Sequence, residues 1–417
     1  MKTAGGHRKP LTFTAAMGMY MLIAASMCLC ASFARAETEI TLKLVAWRYP
    51  DEPKMHPELG FIREFEEDHP GVRLDMTRDE WGNAHGRIRR WLSDHRPWAP
   101  DMTVVPHHWL AEVGHEFYTF RSTFLPTLAP FIPAVMNGAI VEERIHGVPW
   151  HARTWALYYR PDLLPDEAGP PRTWDDVKQL AEKMSEEDGI YPIGIPGAAG
   201  GEAARSLLVG LWGAGGSLYG EDAEIRFDTP EMQKALQTWV GMRRNDVMQP
   251  EMLSWSLKHL QSAFVNGEVA TLMARPEFMR VLNEQHSDVE FDVAPLPMFD
   301  TPVAVVEPTY LVILRSSEHR RECMEFLRYV ASADGQAALT GLGAVPVHKE
   351  IISRVEKSAP MAPFAAHLDH AHITPPVDWA SIETLLEQAI FLAVSGRCDA
   401  GEALGIVQRR WENRGAE

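Results

Sequence analysis

The sequence predicts an α/β protein, and three observations carry that prediction. Short runs with strand-type alternation are repeatedly separated by stretches of helical periodicity, the pattern of strands covered by helices. The stretch Ile145–Val177 holds a turn, an aromatic strand, a loop and a capped helix end to end. At 417 residues, 46% hydrophobic and 23% charged, the chain has globular composition and length enough for two or more domains of roughly 100–200 residues.

Residues 1–36 have the layout of a secretory signal: basic His7-Arg8-Lys9, an apolar stretch from Leu11 to Ala31, and Ala34-Arg35-Ala36 as a small-x-small cleavage site. Cleavage is expected before Glu37. The rival reading is an uncleaved anchor, because the apolar stretch approaches the ~20 residues that span a bilayer. Beyond it, Ile40, Leu42 and Leu44 alternate with Thr41 and Lys43 before Val45-Ala46-Trp47, a first strand whose end becomes buried. Ligands of open α/β sheets bind beyond the carboxyl ends of such strands, which puts Trp47, Arg48 and Tyr49 at a crevice rim. Phe61, Ile62 and Phe65 share one helix face; Pro70-Gly71 stops that helix, and Val72, Leu74 and Met76 begin a second strand.

Gly147-Val148-Pro149-Trp150 favours an extended or turning backbone. Trp155, Leu157 and Tyr159 then alternate with Ala156 and Tyr158 as an aromatic strand. Thr173 stands as N-cap before Trp174-Asp175-Asp176, whose acids suit the first turn of a helix. Ile190–Ile195 reads as a short strand, and Leu207–Trp212 as a helix stopped by the glycines after it. Thr229-Pro230 opens another helix and His259–Val265 forms one more. Val289, Phe291 and Val293 alternate as a strand, and Tyr310–Leu314 is a buried one. Ser316 or Ser317 is placed to cap the helix whose stripe is Cys323, Phe326, Leu327 and Val330. Ile382–Val394 is a helix in the C-terminal covering.

The landmarks of Ile145–Val177 resemble the G-V-P-W … Y-Y/N-x-D-L … P-x-T-W-D/E segment of the family 1 extracellular solute-binding proteins, which serve ABC importers. Phe65–Val72 resembles that family's F-E-x-x-H/N-P-G-V motif, and Pro100–Val105 its P-D-V strand, followed by the loop Pro106-His107-His108-Trp109. Ala263–Met273, Ala294–Pro297 and Gly343–Val347 extend the likeness across Ile40 to Trp411. The resemblance implies a two-lobe fold of discontinuous lobes, 37-150 plus 309-345 and 151-308 plus 346-417, with hinge crossings near Trp150, Glu307 and Val345. It further implies a periplasmic, monomeric binding subunit that closes over a sugar or related polar solute and docks on a separate permease and ATPase. No cofactor, metal or catalytic residue is expected.

Composition and motifs bear on the alternatives. Removing the four basic residues of the signal takes the formal charge from −17 to −21, which argues against nucleic acid. His115-Glu116-Phe117-Tyr118-Thr119 lacks the second histidine of a zincin helix, and no G-x-S-x-G elbow occurs. His367, His370 and His372 read as part of an exposed loop sooner than as zinc ligands. A secreted glycan-active enzyme and a ligand sensor docking on a chemoreceptor are the competing classes. Cys323 and Cys398, the cysteines beyond the signal, cannot frame so large a fold, and their pairing is open.

Binding a polar solute needs aromatic faces and fixed polar groups. The candidates are Trp47, Arg48, Tyr49, Glu80, Trp81, His107, His108, Trp109, Trp150, Arg153, Trp155, Trp212, Arg275, Glu277 and Glu307. Arg153 and Trp155 are expected on the same side of one extended strand. Ala274-Arg275-Pro276-Glu277 stands where the family commonly has Gly-x-Trp, and Val306-Glu307-Pro308 replaces a commonly Gly-rich segment. The added charges either pair internally or grip a polar substituent, so an acidic or phosphorylated sugar is the second choice of ligand after a sugar or polyol.

Overall fold

The computed structural model describes residues 39–48, 59–94, 98–165, 168–184, 189–200, 202–220, 222, 224–341, 345–355, 361–376 and 378–414. The expected signal segment, Tyr49 and Gly343-Ala344 lie outside them. Among the described residues no helix is long and apolar enough to cross a membrane.

The chain opens with β1 (Ile40–Arg48), α1 (Leu59–Asp68), β2 (Val72–Glu80), α2 (Trp81–Asp94) and β3 (Met102–Pro106). β1 lies parallel to both β2 and β3. Helix α3 (His107–Val113) follows β3 without a break, and after the hairpin of β4 (Ile140–Val141) and β5 (Arg144–Ile145) comes β6 (Val148–Thr154). The next group is β7 (Ala156–Tyr159), α4 (Trp174–Lys183), β8 (Tyr191–Gly194), α5 (Glu202–Gly213), α6 (Pro230–Arg244) and α7 (Leu257–Asn266). β9 (Val269–Ala274), α8 (Pro276–Gln285) and β10 (Asp292–Ala294) lead to β11 (Ala304–Ile313), α9 (Arg320–Ala331), β12 (Ala371–His372), α10 (Trp379–Val394) and α11 (Ala400–Asn413). Further helices, Ala333–Gly341 and Lys349–Val355 among them, and shorter helical turns fill the connections.

Two sheets result. The first runs β12-β11-β3-β1-β2, with β6 also paired to β11; the second runs β10-β7-β9-β8. Leu42, Leu44, Val45 and Ala46 are all buried, which is why alternation gives way to continuous apolar sequence along β1. The chain first passes from one sheet to the other at a single residue, since β6 ends at Thr154 and β7 joins the second sheet from Ala156; it returns between β10 and β11. Trp155 falls at that junction, so it does not share a strand with Arg153 as alternation had suggested.

The first sheet takes in chain from both sides of this crossing. His151–Thr154 and Val306–Thr309 pair with each other in the first sheet, and Ala371-His372 pairs with Ala304-Val305 there as well. Val345 also bridges to Ala152, and His348 to Phe131. Local expectations differ in four further places. Pro106–Trp109 is not a loop, because Pro106 takes an extended N-cap conformation and His107, Leu110 and Val113, at helical spacing, turn one face of α3 into the core. α9 has no side-chain cap: Ser317 Oγ instead donates to Asp101 at 2.6 Å and accepts from the His319 amide. β10 is confined to Asp292–Ala294, and β11 begins six residues before Tyr310. Cys323, buried, and Cys398, half-buried, are both free thiols.

The cap of α4 is reciprocal. Thr173 Oγ1 accepts from the Asp176 amide at 3.0 Å, and the Asp176 carboxylate accepts from the Thr173 amide at 2.9 Å. This seats Trp174 and Val177 in the second core. Thr173→Ala is therefore expected to lower stability by about 0.5–2 kcal/mol while Thr173→Ser retains most of it, as read by urea denaturation. Equal stability of the alanine and serine variants would contradict the role of the cap.

Candidate ligand-binding cleft

A cleft of about 970 Å³ is lined by residues carried on elements of both sheets. On the first side, α2 and α3 start directly at the carboxyl ends of β2 and β3, the position where open α/β sheets bind ligands. Trp81 and His85 sit one turn apart on α2, and Trp109 on the first turn of α3. The Trp81 and Trp109 rings lie 5.0 Å apart and within 5° of parallel, with His85 packed on Trp109 at 4.9 Å. Both indoles are half-buried. From the second side come Glu202 and Arg205 on α5, Arg275 at the end of β9, and Trp379 and Glu383 on α10. Arg153 of β6 and Glu307 of β11 lie opposite each other in the strand register.

The charges form a chain. Arg275 places Nη1 and Nη2 at 3.0 and 3.1 Å from the two carboxylate oxygens of Glu202, while its Nε donates to Glu307 at 2.9 Å. Arg205 Nε stands 2.7 Å from the other Glu307 oxygen, and Arg205 Nη1 donates to Glu383 at 2.9 Å. Glu383 also accepts from the Trp379 indole at 3.0 Å, and the Arg205 guanidinium packs over that ring. Burial by itself would raise the pKa of Glu307, but Arg275, Arg205 and Arg153 reverse this and hold the carboxyl well below its usual range. Burial likewise opposes the charge of Arg275, and Glu307 and Glu202 hold it above the ordinary guanidinium range. Glu383, sharing Arg205 with Glu307, is raised by burial, which Arg205 only partly opposes.

Three histidines beside this chain, His107, His108 and His151, are held neutral at pH 7. Burial pushes His107 down to about 4, where its Nε2 meets the Thr374 hydroxyl and carbonyl at 2.8 and 2.9 Å. His108 falls to about 3 through burial and the nearby His107 and Arg205. His151, one pleat before Arg153, falls to about 4 through burial and the Arg153 charge.

Of the candidates, the structure brings Trp81, His107, His108, Trp109, Arg153, Arg275 and Glu307 together at the cleft. Others it places elsewhere. Trp47 is core, stacked on Trp91 at 5.8 Å with its indole donating to the Val104 carbonyl, because α2 covers that face of β1. Arg48 and Glu80 pair with each other at 3.2 Å at adjoining strand ends. Trp150 is buried edge-on against Phe61, and Trp212 is buried in a stack with His372. Trp155 is buried beneath the Arg275 guanidinium, 4.9 Å from its ring, so it supports the wall without lining it. Glu277 lies in the first turn of α8, outside the lining, and Tyr49 lies outside the described residues.

Sequence reasoning missed His85, Glu202, Arg205, Trp379 and Glu383. A signal existed for some of them. Arg205 is a lone cation in the otherwise apolar run Ala203–Trp212, and Trp379 and Glu383 share a helix face at i, i+4.

The histidines carry a consequence for pH. A histidine held neutral in the fold leaves stability intact above its unfolded pKa near 6.5, and stability falls as the unfolded chain alone takes up protons. Melting temperature should therefore drop steadily from about pH 6.5 toward pH 4, with the low pKa of Glu307 adding to the loss below its usual carboxylate range. A flat profile over that interval, by differential scanning calorimetry, would contradict buried neutral histidines.

Residues 60–363 match the family described as bacterial extracellular solute-binding proteins. A binding protein of Brucella abortus is 24% identical over 349 residues, covering 78% of this chain and 82% of that protein. An ABC transporter extracellular-binding protein of Pyrococcus horikoshii is 20% identical over 353 residues, covering 82% and 81%. The cyclic alpha-maltosyl-1,6-maltose binding protein from Arthrobacter globiformis superimposes with a TM-score of 0.77 at 18% identity, covering 89% of this chain and 97% of that one. With a two-sheet fold of this type, a cleft between the sheets and a family match over most of its length, the chain belongs to the bacterial extracellular solute-binding proteins.

Proposed function

We propose that this protein is the periplasmic solute-capturing subunit of an ABC importer and that it holds a sugar or polyol in the cleft. The observation that carries the reading is the pair of parallel, half-buried indoles of Trp81 and Trp109 beside a chain of fixed donors and acceptors. Indole faces suit the apolar faces of a sugar ring, and Arg and Glu side chains suit its hydroxyls. The P. horikoshii relative is named as an ABC transporter binding protein and the A. globiformis neighbour as a binder of an oligosaccharide, which supports both halves of the reading. The secretory layout of residues 1–36 supports the periplasm.

The mechanism follows from where the groups sit. A solute touching α2 and α3 on one side and α5 and α10 on the other makes its full set of contacts only when the lobes approach, so it stabilises the closed state by its differential affinity. Hinge closure is the known behaviour of periplasmic binding proteins as a class. The closed monomer would then be recognised by a separate permease and ATPase. Glu202 and Glu307, which an enzyme of this cleft would need free to move a proton, are each ion-paired to guanidinium partners.

Calorimetry and small-angle scattering with a panel of mono- and disaccharides and hexitols test the reading. One saturable site, a smaller radius of gyration at saturation and no turnover are expected; turnover without stoichiometric binding would favour a glycan-active enzyme. Within that experiment Arg153→Ala should weaken binding by roughly 10- to 150-fold, the scale of one charge-assisted hydrogen bond in a desolvated cleft. Arg153→Lys should recover only part of the loss, because the planar fork is gone. Wild-type affinity in Arg153→Ala removes the residue from the site.

A further inference from the structure

We propose that Glu307 is a specificity-determining residue: its carboxylate occupies the guanidiniums that would otherwise receive an anion, so the cleft admits uncharged polyhydroxy solutes and rejects carboxylated or phosphorylated ones. The inference rests on the solute-binding reading of the cleft and narrows its substrate class.

Arginine forks in a cleft ordinarily signal carboxylate or phosphate recognition. Here the guanidiniums of Arg275 and Arg205 are already ion-paired with carboxylates of the protein itself. Arg275 spends Nε on Glu307 and both Nη atoms on Glu202. Arg205 has Nε 2.7 Å from Glu307, an ion-pair contact without hydrogen-bond geometry, and donates Nη1 to Glu383. Arg153 faces the same carboxylate across the β6–β11 register and adds to its stabilisation. The side chains of Glu307, Arg275 and Arg205 are only 11%, 14% and 15% exposed, so water does little to screen them.

The local sum of charge points the same way. Arg153, Arg205 and Arg275 line the cleft together with Glu112, Glu202, Glu307, Glu383 and Asp378, and burial keeps His107 and His108 uncharged at neutral pH. Among the described lining residues an incoming anion would meet at least as many carboxylates as guanidiniums, and it would have to displace a carboxylate fixed to β11, a strand paired on both sides. A hydroxyl faces no such demand. It can accept from a guanidinium N–H and donate to a carboxylate oxygen without breaking an ion pair. Removing the Glu307 charge reverses the situation, because it leaves guanidiniums around a space shaped for a carboxylate.

The test compares wild type, Glu307→Gln and Glu307→Ala in the whole protein. Glucose, maltose and mannitol serve as neutral probes; glucuronate and glucose 6-phosphate serve as anionic ones, at matched ionic strength, in calorimetry and thermal melting. Wild type is expected to ignore both anions, while Glu307→Gln should bind glucuronate roughly tenfold or more tightly than wild type. Sodium acetate should raise the melting temperature of Glu307→Ala in a saturable way that sodium chloride does not, and this arm requires no sugar. If the alanine variant folds only when acetate is present, that too is the expected result. The proposal is overturned if wild type binds glucuronate or glucose 6-phosphate as tightly as its best neutral probe, or if the glutamine variant gains no anion binding and acetate does not rescue the alanine variant. Failure of every neutral probe would count against the sugar reading alone, since the acetate and glucuronate arms still decide the role of Glu307.

Discussion

The rest of the structure depends on β11 being hydrogen-bonded along both edges. Thr309–Ile313 pairs with β3 on one side, and Val306–Leu311 pairs with β6 on the other. Three pieces of chain far apart in sequence are thereby held side by side: the strand leading into α3, the strand that crosses to the second sheet, and β12. The approach is close enough that Gly147 could not carry a Cβ, which would come within 2.9 Å of the Leu311 carbonyl. Tyr310, fully buried, is satisfied by its hydroxyl donating to the Val135 carbonyl at 2.6 Å. Successive residues of this strand serve different cores, since Val305 belongs to the second hydrophobic cluster and Val306 to the first. Glu307 comes next, so its carboxylate is fixed where the two halves meet.

Placing charge there is costly unless each charge is answered. Desolvating an ion can cost more than its partner returns, and removing one member of a buried pair typically costs about 3–5 kcal/mol. The cleft meets this with alternating sign, Glu202, Arg275, Glu307, Arg205 and Glu383 in succession, and with histidines that burial keeps neutral. Aromatic surfaces complete the arrangement. Trp155 lies under Arg275 and Trp379 under Arg205, so each guanidinium has a ring on one face as well as carboxylates at its edge. The result is a rigid polar wall facing the Trp81–Trp109 stack, with orientation set before any solute arrives.

Local chemistry made much of the fold legible. The Thr173 cap, the stop after α1 and the alternation in β1 depend on neighbours within a few residues, and each formed as its pattern required. Cleft-lining residues were legible where a strand end announced them: Trp81 and His107–Trp109 follow β2 and β3 directly. Trp47 has the same local credentials, yet a helix packed over β1 makes it core. Trp150 and Trp212 were misplaced for a like reason, because an indole reads the same in sequence whether its face meets solvent or another ring.

The sequence by itself determined the α/β class, most element positions and the presence of unusual charges at Arg275 and Glu307, since these follow from period, capping and residue type. Only the tertiary structure decided what those charges do. Glu202, Arg205, Arg275, Glu307 and Glu383 are spread over some 180 positions, and no periodicity links them; they meet because β11 joins the first sheet while α5, β9 and α10 pack in the second. Electrostatic pairing acts through space at about 3 Å, whereas the patterns that shape helices and strands act along the chain.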